Sequence, residues 1–154
     1  MKHPIWLLFL FYFPTIWLQT YAARSLLGLR SHARKLAVFS LCQACIMFFV
    51  RDVLGLFGPH IVILLLTHIG LQVLLFKTSL FLEGIMVAIL PLVLSMIGEL
   101  TLVPLVLTLL GHSMVEAVSH LPLFLIIGWI SNLPVILIAL NMKFNARREL
   151  NQCI

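Results

Sequence analysis

Acidic side chains are scarce in this chain: Asp and Glu together number five in 154 residues, all charged residues make up 10%, and hydrophobic residues reach 62%. Soluble domains carry about 25% charged and 45–50% apolar residues, so a water-soluble domain does not fit this composition. Cysteine is also scarce, at three, and an odd count with a C-x-x-C at Cys42 and Cys45 inside an apolar stretch fits packing residues better than a disulfide framework or a zinc site. Internal repeats and low-complexity linkers are missing. So are a glycine-rich phosphate loop, a G-x-S-x-G elbow, an H-E-x-x-H pair and any Ser/His/Asp arrangement in a loop context, and an enzyme is not expected. The formal charge of +5 does not point to nucleic acid. The charges fall between apolar segments, where membrane orientation and anionic lipid head groups account for them.

What is present is a series of long apolar stretches. A helix crosses the hydrocarbon core with about 20 apolar residues. Stretches at 4–22, 36–56, 60–76, 84–110 and 121–142 predict an all-α, polytopic membrane helix bundle of about five transmembrane helices forming a single integral membrane domain. Pro14 and Pro134 are expected to kink the first and last helices, and Gly58-Pro59 marks a turn before the third. The loop 23–35 holds Arg24, Arg30, Arg34 and Lys35. Short loops rich in Lys and Arg stay cytoplasmic, which places the N-terminus outside and the C-terminus inside. Five crossings then put eight Lys and Arg on the inner side and two outside, as the positive-inside rule requires.

The chain is organised around Glu83 to Gly111, which carries one acid, Glu99, far from either end. An ionised side chain there costs at least about 3 kcal/mol unless it is paired or faces a polar cavity. Ser95 lies one turn before it, and Pro91 and Pro104 bracket the pair and can free carbonyls for other partners. Glu99 and Ser95 are therefore candidate ligand-binding residues, the alternative being a Glu hydrogen-bonded to a neighbouring helix. In the third helix His68 and Gln72 share a face with Thr67 beside it, and in the fifth Asn132 is an interhelical hydrogen-bond candidate. His68, Gln72 and Asn132 complete the expected ligand-facing set. His68 and Glu99 would lie about 10 Å apart in depth if helices three and four start level. Between helices four and five, His112, Glu116 and His120 recur at spacings of four on one helical face. They could hold a metal ion or titrate together, or form the solvated face of an amphipathic connector.

The order of a basic loop after helix one, the span GPHIVILLLTHIGLQVLLFK, the span carrying GELTLVPLVLTLLG and the ending LNMKFNARREL resembles the membrane-sensor region of peptide-sensing, quorum-type histidine kinases of Gram-positive bacteria. The resemblance covers nearly the whole chain through hydropathy and polar placement. It implies a multi-pass plasma-membrane sensor of an extracellular ligand or peptide, coupled to a cytoplasmic kinase. These 154 residues contain neither a phosphoacceptor motif nor an ATP-binding glycine box, so kinase activity is not implied for them. Two other classes fit the same residues. One is a small transport subunit that binds a vitamin or metal substrate beside an ATPase partner, with Glu99, His68 and Asn132 lining the pocket. The other is a structural membrane scaffold, self-associating as a homo-oligomer. Cofactors are not implied. Moving the basic residues of 24–35 to the second connection is expected to disturb topology, read by protease protection of tags at the two termini. An unchanged orientation would contradict the assignment.

Overall fold

The computed structural model describes residues 5–55, 60–77, 80–113, 116 and 120–152; Gly58-Pro59, the apolar side of the 112–120 connector and Lys2 lie outside them. These residues form six α-helices and no strand: α1 (Phe13–Leu26), α2 (Ala33–Phe48), α3 (His60–Phe76), α4 (Leu80–Leu110), α5 (Leu121–Ser131) and α6 (Leu133–Gln152). A single π turn, Leu8–Tyr12, leads into α1, and another, Phe49–Val53, continues α2. The widened turn lies immediately before Pro14, whose ring and missing N–H disturb the regular bonding of the helix to its preceding turn. Helix α1 reaches Leu26 rather than residue 22, and α2 begins at Ala33 rather than 36, so the basic loop shrinks to 27–32. Gly28, in the left-handed conformation at φ +67°, ends α1, with Leu27, Gly28 and Leu29 donating to the last carbonyls.

Among the described residues, two helical stretches are long and apolar enough to cross a membrane, Ala33–Arg51 and Leu82–Leu110. Leu121–Ser131 and Leu133–Met142 make a third if the 48° bend between them is counted within one crossing, and Ile61–Phe76 is apolar but shorter. The expected continuous fifth helix is thus two helices. Asn132 adopts φ −88°, ψ 0° at the break, and Pro134, lacking an N–H, sits in the first turn of the new helix, where it is tolerated.

Helices α1 to α4 pack in a ring, each on the next and α4 back onto α1, while α5 and α6 lie against α4 and α6 also against α1. Aromatic and branched side chains fill the α1–α2 end, with Leu7, Leu8, Phe11, Tyr12, Ile16 and Phe39 buried. Small residues let α1 and α6 approach, Ala22 meeting Ala139 and Val135. The closest approach is at Gly98 of α4, where a Cβ would collide with the backbone carbonyl of Ser131. Much of the remaining surface is apolar, including Leu82, Leu100, Leu105 and Leu109 of α4, as expected of helices bathed in lipid. Cys42 is partly buried and Cys45 lies on the exposed surface, both as free thiols, so only the first fits a packing role. The Gly98 crossing gives a direct contrast. Gly98→Ala is expected to destabilise the bundle by about 1–3 kcal/mol through overpacking, while Gly70→Ala, with open space around it, is neutral or slightly stabilising. Thermal melts of the purified chain in detergent measure both.

Candidate functional site: a polar interior

Among the polar side chains of helix α1, Gln19, Thr20 and Arg24 fall on two faces. Each residue advances about 100° around a helix, so Gln19 and Thr20 point to different neighbours whereas Thr20 and Arg24 share a side.

On the side of α4, α5 and α6, Gln19 meets the break at Asn132. Gln19 Nε2 donates to Asn132 Oδ1 at 2.7 Å and to Ser95 Oγ at 3.1 Å, and Ser95 Oγ donates to Asn132 Oδ1 at 3.0 Å. Asn132 Nδ2 in turn donates to the Gly128 carbonyl at 2.7 Å, which the bend has freed from its helical partner. Ser131 Oγ donates to the same carbonyl at 2.9 Å. Asn132 and Ser131 are buried. The junction is therefore satisfied from within: Asn132 makes interhelical hydrogen bonds, and its partners are Ser95 of α4 and Gln19 of α1.

On the side of α2 and α3, Arg24 is only 3% exposed, so it belongs to the interior rather than to the basic loop. Its guanidinium uses three edges: Nη1 donates to Gln72 Oε1 at 3.1 Å, Nη2 to the Arg30 carbonyl at 2.7 Å and Nε to Ser31 Oγ at 3.2 Å. The group stacks 3.9 Å above the Phe76 ring and feels the opposite charge of Glu83. A cation so held ties α1, the loop, α3 and the start of α4 together. One turn deeper, the His68 ring meets the edge of Phe39 at 4.7 Å. Gln43 donates to the Leu64 carbonyl at 2.9 Å and to Thr67 Oγ1 at 3.3 Å.

The five expected ligand-facing residues thus divide. Ser95 and Asn132 meet on one side of α1, and His68 and Gln72 lie on the other. Glu99 joins neither group: it is exposed on the outer face of α4 and takes no part in the Gln19–Ser95–Asn132 bonds. Gln19 and Arg24 are the interior residues that sequence reasoning missed. A glutamine inside an apolar stretch, and an arginine four residues past a threonine on the same face, were the available signals.

At the other end of the bundle His112 Nδ1 lies 3.6 Å from Glu116 Oε2. The Ser113 N–H donates to that carboxylate at 2.9 Å, and the Glu116 N–H donates to Ser113 Oγ at 3.3 Å, a capping box. The Ser113 N–H and hydroxyl, with a smaller contribution from His112, hold the exposed Glu116 carboxyl below its ordinary range. His120 contributes its backbone N–H to the Glu116 carbonyl. Among the described residues no group of three or more His, Cys, Asp or Glu side chains is gathered closely enough to hold a metal ion.

No protein-family model matches the chain, and no curated protein or solved structure matches it.

Interhelical hydrogen bonds inside membranes contribute about 0.6 kcal/mol each and up to about 1.7. Asn132→Leu, which removes the bonds to Gln19, Ser95 and Gly128, is expected to cost about 1–3 kcal/mol. Glu99→Gln, outside both polar groups, should stay within about 0.5 kcal/mol of the unaltered chain. Melting midpoints in the same detergent compare the two, and equal losses would contradict the assignment of the interior.

Proposed function

We propose that the chain is a non-catalytic sensor or regulatory module of the plasma membrane, with five crossings, the N-terminus outside and the C-terminus in the cytoplasm. One observation carries this reading: α6 begins at the Asn132 junction and continues as a single helix to Gln152, past the last apolar residues and through Lys143, Arg147 and Arg148. A helix that starts at a hydrogen-bonded node inside the bundle and leaves on the basic side mechanically links the interior to cytoplasmic partners. The node joins helices distant in sequence, Gln19 to Ser95 and to Asn132. A ligand or peptide that competes for those bonds, or that shifts α5 on the outer side, would change how α6 is held.

The resemblance to the membrane region of peptide-sensing histidine kinases supports the same reading, with an extracellular ligand on one side and a separate kinase partner on the other. The basic loop and the basic segment of α6 both lie on the inner side in this arrangement, beside anionic lipid.

The experiment is a photocrosslinking amino acid in place of Arg147, introduced into the full chain in its own cells, with captured proteins identified by mass spectrometry. Capture of a histidine-kinase core or a response regulator is the expected result. Capture of a transport ATPase would overturn the sensor reading in favour of an uptake subunit, and capture of nothing but the chain itself would favour a scaffold.

A further inference from the structure

Helices α1, α2 and α3 enclose polar atoms that have no partner. Thr20 Oγ1, Ser40 Oγ, Gln43 Oε1, His68 Nε2 and Gln72 Nε2 are each buried and unbonded. Thr20, Ser40 and Gln72 have no exposed surface at all, and Gln43 has 4%. Three contacts bring them to one side of α1. Arg24, one turn beyond Thr20, binds Gln72 Oε1; Phe39 packs on the His68 ring; and Gln43, four residues on and on the same side of α2, reaches Thr67 and the Leu64 carbonyl, with Ser40 three residues before Gln43 on the adjoining flank. From Gln72 to Leu64 the row covers about 12 Å along α3.

The chemistry of these atoms limits what can bind them. Gln72 Nε2 only donates, Gln43 Oε1 only accepts, and the two hydroxyls and the imidazole nitrogen can do either. None of the five carries a fixed charge. An anion would be opposed by the Gln43 oxygen and a cation by the Gln72 amide, whereas a small neutral molecule that both donates and accepts suits every atom. Five bare polar atoms would offset much of a small domain's stability, and unpaired groups in a buried interior are the usual mark of bound water.

We infer that the α1–α2–α3 interior is a hydrated site, a short file of bound water molecules that bridges Gln72, His68, Thr20, Ser40 and Gln43. Arg24 closes its end on the side of the 27–32 loop, since the same guanidinium that binds Gln72 also binds the Arg30 carbonyl and Ser31 Oγ. The site lies across α1 from the Asn132 junction and does not depend on the sensor reading.

Radiolytic hydroxyl-radical labelling of the full chain in lipid nanodiscs tests the inference, because radicals formed from bound water oxidise the side chains beside it. His68 is expected to be oxidised in the unaltered chain. In the Thr20→Val/Ser40→Ala double variant that label is lost and the melting midpoint falls, because the waters lose two of their partners. An unlabelled His68 in the unaltered chain would overturn the inference. So would a raised midpoint in the double variant, which is the result of removing bare polar atoms from a dry core. If the double variant fails to fold, the labelling of the unaltered chain decides the matter alone.

Discussion

In hydrocarbon a hydrogen-bonding group must be satisfied from within the protein, and the arrangement of these helices follows from how that demand is met at Asn132. The bend before α6 releases the Gly128 carbonyl, and the Asn132 and Ser131 side chains return donors to it. The far end of the Asn132 amide then needs donors of its own, which come from Gln19 and Ser95. Helices α1 and α4 are thereby pinned to the α5–α6 junction at one level. Small residues make this possible: Gly98 lets α4 come against the Ser131 backbone, and Gly128 leaves room for the Phe11 ring. Polar chemistry and close packing coincide in the same short segment, because a hydrogen bond between helices requires their backbones to approach.

Helix α1 holds the centre for a related reason. Its polar residues face protein on two sides. Gln19 serves the junction, while Arg24 serves the loop and α3. Burial of Arg24 is tolerable because its donors are spread over Gln72, Arg30 and Ser31, with an aromatic face beneath and the charge of Glu83 nearby. The loop of 27–32 is consequently fastened from below by a side chain of the helix it follows.

Hydropathy made the helical class legible and placed most element bounds within a few residues. Asn132 was legible as an interhelical hydrogen-bonding residue, because an uncharged polar side chain in an apolar helix seeks a partner on a neighbouring one, whereas its partners Gln19 and Ser95 were not. The break at Asn132 was read as a kink in one helix, since Pro134 marks a disturbance without specifying how far the axis turns. Arg24 was misplaced in the loop because charge counts outweighed its position four residues after Thr20. Glu99 was grouped with Ser95 by their spacing of four. Four residues advance a helix about 40° beyond a full turn, enough to carry a side chain over the rim of a narrow interface. The partnership of Gln19 with residues 76 and 113 positions away is a long-range fact that local pattern does not encode.

The junction also sets a leverage. Helix α6 is 20 residues long, or about 30 Å at 1.5 Å per residue. A rotation of about 10° around Asn132 would sweep its far end through about 5 Å, roughly the pitch of one helical turn. Side-chain movements at the node smaller than the length of a hydrogen bond are thus magnified at the basic end of the helix into a displacement large enough to make or break a contact between proteins.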